Sequence, residues 1–297
     1  MNLKPDSKVL IQGINQPLGS YYAVRMRDYG TNIVAGVSVR KGECQLPEIP
    51  VFDLVEQACQ CTGAVDTTII FVEPYRALDA ALEAIDAGIP QIVIFTRGIP
   101  PLDVVRLLRK AEATKTLIVG PASSGIIVPG KILLGAQESE FYTPGSVGLI
   151  THAGVLTYEV ALALSQAGLG QSIGVNLGNE AIVGSSFLQW LEILAKDKST
   201  EAIVLVDQSG GSSEEATAEF IAKVIDKPVI TYFAGNYTPM DKQVGNAGSI
   251  IAAQLSGPVT KATTVQQKVA AFKQARVPVA QSPSEIPKLV KKALKKK

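Results

Sequence analysis

The sequence predicts an α/β protein made of two consecutive parallel-sheet units, and three observations carry that expectation. Short β-branched apolar runs alternate with helical patterns along most of the chain. Those runs are apolar throughout rather than alternately polar, as strands buried on both faces must be. The 26 glycines are spread among the junctions instead of being gathered in a linker, which fits many tight strand-to-helix turns. A length of 297 residues leaves room for two domains that each bury a core.

In the first half the expected strands are Lys8–Ile14, Thr31–Val39, Thr67–Val72, Gln91–Thr96 and Thr116–Val119. The intervening helices are expected near Leu18–Tyr29, Val51–Cys59, Tyr75–Ala87 and Pro101–Ala111, with Gly88 placed to stop the third. This order of elements predicts a βαβ domain of the Rossmann kind over residues 1–122. Between Pro121 and Gly145 the alternation breaks into Pro/Gly-bearing loops around a short Ile132–Leu134 strand, so residues 123–145 are expected to form the junction.

The alternation then resumes with strands Val147–Thr151, Ser172–Asn176, Ala202–Asp207, Pro228–Phe233 and Val277–Ala280. Helices are expected near Val155–Ala167, Ser186–Lys196, Ser213–Val224, Gln266–Ala275 and Ser284–Lys295, the last with Ser284 as its N-cap. Residues 146–297 are therefore read as a second parallel α/β domain, of flavodoxin-like size.

Composition excludes several classes of function. A formal charge of +1 gives no general attraction for nucleic acid. The one concentrated basic run, Lys288 to Lys297, reads as a solvated helix end in preference to a docking patch. Met1–Asp6 lacks the apolar core of a signal peptide and no apolar run approaches the length of a membrane span, so a cytoplasmic protein is expected. Cys44, Cys59 and Cys61 read as reduced thiols, because Cys59-Gln60-Cys61 is too closely spaced for the usual zinc pattern and has no histidine nearby. His152 is the only imidazole in the chain, so no site needing several of them can exist.

Two kinds of turn carry the chemistry. The first strand ends in Gly13-Ile14-Asn15-Gln16-Pro17-Leu18-Gly19-Ser20, a glycine-bounded turn with Pro17 placed to begin a helix whose N-terminal amides suit a phosphate. The G-x-G-x-x-G spacing is absent, and the second strand closes with Ser38-Val39-Arg40-Lys41 rather than with the acid that binds a ribose in nicotinamide sites. Basic groups there favour a ligand with an extra phosphate, coenzyme A or a phosphorylated dinucleotide; two exposed loop cations are the plain alternative. In the second half, Thr151-His152-Ala153-Gly154-Val155 is again a strand-to-helix turn, and Gly245-Asn246-Ala247-Gly248 is a third, after another strand of the same sheet. Two such helix starts at one sheet edge would define an anion site, and two ordinary tight turns are the alternative.

Taken together these segments resemble the α subunit of succinyl-CoA synthetase, of the acid–CoA ligase family. The resemblance covers nearly the whole chain: the Gly13 turn, Lys41-Gly42, Gly98-Ile99-Pro100 with Leu102-Asp103, Gly120-Pro121 with Pro129-Gly130, Leu156-Thr157-Tyr158-Glu159, Gly210-Gly211-Ser212 with Glu214-Glu215, and Gly245 with Ala247-Gly248. It implies CoA binding by Asn15, Gln16, Pro17, Leu18, Lys41, Phe95, Thr96 and Arg97, and it places Tyr158 toward substrate and partner. It also implies an ATP-grasp β-type partner, the source of ATP or GTP with Mg; self-association is the other arrangement open to it.

The departures from the family pattern cluster at one site. The family's phosphorylated histidine falls on Asn246, and the glutamate that orients it falls on Gln208. An amide nitrogen has its lone pair delocalised into the carbonyl and is no substitute for a nucleophilic imidazole. The phosphate-holding Ser and Thr fall on Ala153 and Val155, which removes two hydroxyls. In addition, Arg97 replaces an acid in the CoA region, and Ala122-Ser123-Ser124 replaces the family's Asn-Cys-Pro. The implied function is a CoA-binding α-type subunit without phosphohistidine chemistry, or a catalytically silent CoA- or nucleotide-binding structural or regulatory subunit. His152 lies beside the degenerate site, but its sequence neighbours supply neither a base nor phosphate donors, so a loop-capping or partner-contact role is expected.

Overall fold

The computed structural model describes residues 3–38, 48–207, 214–235 and 265–295. It separates into two compact units, Met1–Gln137 with Leu177–Ser185, and Glu138–Asn176 with Ser186–Lys297.

The first unit carries parallel strands β1 (Val9–Gln12), β2 (Ile33–Val37), β3 (Val51–Phe52), β4 (Thr67–Ile70), β5 (Gln91–Ile94) and β6 (Leu117–Val119), in the spatial order β3-β2-β1-β4-β5-β6. Both faces of the central strands are buried, as their unbroken apolar runs require: Leu10, Ile70, Ile92, Ile94 and Ile118 are fully enclosed. Helices α1 (Pro17–Asp28), α2 (Val55–Thr62), α3 (Ala77–Asp86) and α4 (Pro101–Thr114) connect them. Gly88, at φ +77°, follows the end of α3 as expected.

Around residue 51 the expectation of a helix is corrected. Val51 and Phe52 pair with Gly36 and Val37 as an edge strand, and α2 begins later, with the Glu83 carboxylate accepting from the Val55 amide at 2.8 Å. A β-branched and an aromatic residue at the edge gain more from a ladder than from a helix start.

Two further pieces belong to this unit. Strands β7 (Gly125–Val128) and β8 (Ile132–Gly135) form an antiparallel hairpin, of which only the second strand was legible in the sequence. The hairpin is tied to the end of α1 and the loop after it: Thr31 Oγ1 donates to the Leu133 carbonyl at 2.7 Å, and Tyr29 Oη accepts from the Gly130 amide at 2.8 Å. Segment Leu177–Ser185 joins the unit from much later in the chain, with the Gly120 amide donating to Leu177 and the Gly184 amide donating back to Gly120.

The second unit carries parallel strands β9 (Pro144–His152), β10 (Gln171–Asn176), β11 (Ala202–Asp207), β12 (Val229–Phe233) and β13 (Val279–Ala280), in the order β13-β12-β11-β9-β10. Its helices are α5 (Leu156–Gln166), α6 (Phe187–Lys196), α7 (Glu214–Val224), α8 (Val265–Gln274) and α9 (Ile286–Leu294). Its core includes buried Trp190, Leu191, Phe272 and Val290 from the helices and Leu149, Ile150, Val204 and Val206 from the strands. Ser186 caps α6 by accepting from the Gln189 amide at 3.3 Å. The expected cap of the last helix is corrected: Ser284 lies in a 3₁₀ turn, its hydroxyl is 2.8 Å from that of Ser282, and Glu285 occupies the N-cap position. Among the described residues no helix is long and apolar enough to cross a membrane.

Candidate functional site

In the first unit, chain order and spatial order diverge between β1 and β4, since β2 and β3 run to one side and β4 to β6 to the other. The carboxyl ends of the two strands at such a switch point are the general ligand position in open parallel sheets. Residues 13–18 leave β1 at that point. Gly13 turns the chain at φ +82°, its carbonyl accepts from the Gln16 amide at 2.9 Å, and Pro17 opens α1. A Cβ on Gly19 would fall inside contact distance of the Gly13 carbonyl oxygen, so α1 sits directly on the turn. Gln16, the N-cap, makes no side-chain cap bond, which leaves the first amides of the helix available to an anion.

Three other predicted residues of this half lie at the same edge. Phe95, Thr96 and Arg97 leave β5, the neighbour of β4. Tyr22 of α1 lies 5.9 Å from Phe71 and 5.5 Å from Phe95, ring centre to ring centre, closing the wall between the turn and the β5 loop. Thr96 is buried and donates to the Val72 carbonyl at 2.7 Å, a fold-holding bond, whereas Arg97 and Leu18 are exposed. One contributor was missed by sequence reasoning: Glu180, from the returning segment, accepts from the Gly98 amide at 3.1 Å and sets a carboxylate beside Arg97 in the chain. The paired glycines Gly178 and Gly184 were its available signal, since each has backbone or side-chain atoms where a Cβ would go. Lys41 lies outside the described residues.

The glycine turn and the start of α1, which has no side-chain cap, suit a phosphate-bearing ligand.

In the second unit, His152 ends β9 and Asp207 ends β11, directly opposite one another in register. His152 Nδ1 is 3.4 Å from Asp207 Oδ1, and Lys268 Nζ of α8 donates to Asp207 Oδ2 at 2.8 Å. Lys268 is fully buried, Asp207 nearly so, and the His152 side chain is 23% exposed, which makes it the opening of the cluster. The carboxylate also borders a small pocket with Phe187, Leu205, Thr217, Phe233 and Phe272. The expectation that His152 has no base beside it is thereby corrected: the base comes from a strand far along the chain.

The turn after His152 is held rigidly. Thr157 Oγ1 and Asn176 Nδ2 both donate to the Ala153 carbonyl, at 2.9 and 2.6 Å. Ala153 is fully buried and Val155, the N-cap of α5, is 82% exposed with no cap bond, so neither residue places a hydroxyl at this helix start. Tyr158 stacks on Phe141 with ring centres 5.6 Å apart, and burial, aided by Tyr158, pushes the Tyr142 hydroxyl well above the ordinary tyrosine range. Gln208 and Asn246 lie outside the described residues. Away from these loops, Cys59 and Cys61 are free thiols, and burial pushes Cys59 up. Among the described residues no cluster suited to a metal ion occurs.

Residues 4–98 match the family model described as CoA binding domain, and residues 150–292 match that described as CoA-ligase. The chain is 39% identical over 288 residues to the succinate–CoA ligase (ADP-forming) subunit alpha 2 of Archaeoglobus fulgidus, covering 97% of each chain. It is 40% identical over 259 residues to the malate–CoA ligase subunit alpha of Methylorubrum extorquens, covering 85% of this chain and 87% of that one. Among solved structures, ATP citrate lyase from Methanothrix soehngenii, in complex with citrate and coenzyme A, superposes with a TM-score of 0.85 at 20% identity. That match covers 100% of this chain and 51% of the lyase, so the chain spans about half the length of that protein and the likeness is one of fold.

Proposed function

Because the chain belongs to the family of succinate–CoA ligase α subunits, we propose that it is the CoA-binding subunit of an acid–CoA ligase that works without phosphohistidine chemistry. The observation that supports this most is the contrast between its two sheet edges. At the β1–β4 edge the ligand-binding features are present together: the glycine turn, the uncapped start of α1, and the Phe95–Arg97 loop beside it. At the β9 edge the anion-holding hydroxyls are replaced by Ala153 and Val155, and the sequence carries Asn246 and Gln208 where the family has its phosphorylated histidine and the glutamate that orients it.

In this reading coenzyme A is held by Asn15, Gln16, Pro17, Leu18, Lys41, Phe95, Thr96 and Arg97 in a cytoplasmic protein. An ATP-grasp β-type subunit brings ATP or GTP with Mg and forms the activated acid, and Tyr158 faces the acid and that partner. The second reading, a silent CoA- or nucleotide-binding subunit with a structural or regulatory role, draws its support from the same loss of hydroxyls.

Calorimetry with coenzyme A tests the binding: heat of saturation is expected, and its absence at millimolar ligand removes the assignment. Incubation with labelled ATP, or with succinyl-CoA and phosphate, with and without the β-type subunit, tests the chemistry. Acid-labile phosphate on the chain would contradict the reading. Thioester formation in the mixture without it would favour the ligase over the silent subunit.

A further inference from the structure

We propose that Glu180 is a positioning residue for the loop that presents Arg97, holding that loop in the shape that receives the phosphates of coenzyme A; the role rests on the coenzyme A reading of this sheet edge and adds to it the residue that sets the loop.

Glu180 lies on Leu177–Ser185, and that segment and the Phe95–Gly98 loop belong to the same unit. The segment is pinned on each side of Glu180. The Gly120 amide donates to the Leu177 carbonyl at 3.2 Å, and the Gly184 amide donates to the Gly120 carbonyl at 2.7 Å. Gly178 lies so close to the Pro121 carbonyl, and Gly184 so close to the Ile118 side chain, that neither has room for a Cβ. Between them Ile182 packs against the core of the unit. A carboxylate carried between such anchors has its place set by the fold and costs little to order.

The loop it meets is tied before and after Arg97. On the near side, Thr96 Oγ1 donates to the Val72 carbonyl at 2.7 Å and the Thr96 carbonyl accepts from the Ala122 amide at 2.9 Å. On the far side the chain turns at Gly98, with φ +71°, and the Gly98 amide donates to Glu180 Oε1 at 3.1 Å. Exposed Arg97 stands between the two ties. A cation on a loose loop loses affinity to the ordering of its backbone, and a backbone already tied on both sides avoids that loss. The tie needs an acceptor oxygen and not a charge: an amide oxygen in the same place accepts from Gly98 as well, and a negative charge beside an anion site is unfavourable. Glutamine at this position therefore separates the bond from the charge.

Calorimetry of the full chain with coenzyme A, before and after substitution, provides the test. Glu180→Ala is expected to weaken binding about threefold to tenfold, with the melting temperature unchanged, and to speed exchange of the Gly98 amide in NMR of the labelled chain. Glu180→Gln is expected to keep the slow exchange and the full affinity. Arg97→Gln is expected to weaken binding by itself, and Glu180→Ala added to it is expected to change little more, because both act through one cation. A Glu180→Gln variant as weak as Glu180→Ala, or losses that add in the double variant, would overturn the proposal. A wild-type chain that binds coenzyme A no better than Glu180→Ala removes this inference alone, whereas a wild-type chain that gives no heat with coenzyme A removes the binding reading and this inference with it.

Discussion

Lys268 and Asp207 form an ion pair of 2.8 Å in which both side chains are shut away from water, at the carboxyl edge of a parallel sheet. Removing Lys268 takes the nearest opposite charge away from a buried carboxylate. Lys268→Met is therefore expected to cost about 3–5 kcal/mol of folding stability, read from urea unfolding of the full chain. The double variant Lys268→Met with Asp207→Asn is expected to recover much of that loss, because the buried carboxylate charge has gone with its cation. Equal losses in the single and double variants would show that the pair is not what stabilises this corner.

Gly19 faces the Gly13 carbonyl without room for a side chain. Gly19→Ala must push α1 off the turn, and overpacking of this kind costs about 1–3 kcal/mol. The displaced turn is expected to lose its ligand as well. Thermal melts and calorimetry with coenzyme A check the two effects separately; a variant that melts lower but binds unchanged would detach the turn from binding.

Asp197, in the loop after α6, supplies a pH dependence. Burial raises its pKa, but hydrogen bonds from Thr200 and Ser199 together with the Lys227 charge outweigh that and leave it below the ordinary aspartate value. An unfolded aspartate titrates near about 3.9, so between the two values the unfolded chain binds more protons. The stabilisation is complete above the unfolded value and is lost as pH falls through the folded one. Wild-type stability is expected to drop more steeply than that of Asp197→Asn as pH is lowered from about 5; parallel profiles would contradict the assignment.

On the proposed reading, Asn246→His with Gln208→Glu is expected to yield no acid-labile phosphate on incubation of the assembled protein with labelled ATP. Adding Ala153→Ser and Val155→Thr, which put two hydroxyls at the start of α5, is expected to give labelling. Labelling with the first pair alone would show that the hydroxyls matter little.

The parallel strands were legible because a strand covered on both faces must be apolar throughout, and Val9–Gln12 and Ala202–Asp207 differ little from their expected ranges. The turn at Gly13 was legible because a positive φ at a strand end calls for glycine. Contacts between distant segments were not. Nothing near Asp207 in sequence announces His152 or Lys268, whose meeting depends on strand register and on where α8 lands. The return of Leu177–Ser185 to the first unit was hidden for the same reason, and β7 was hidden because its Ile126 and Ile127 sit between loop-forming residues. At Ser284 the local rule misled: a serine at the right spacing pairs with another serine instead of capping.

The seating of α1 on Gly13 has a bearing on how relatives of this protein should diverge. Backbone contact demands both glycines whether or not a ligand is ever bound, so natural selection on folding alone would preserve them long after a change of ligand. Leu18 and Arg97 are under no such demand, being exposed and outside the core. In sister proteins that adopt a different ligand, those two positions are expected to drift first, and the glycines last.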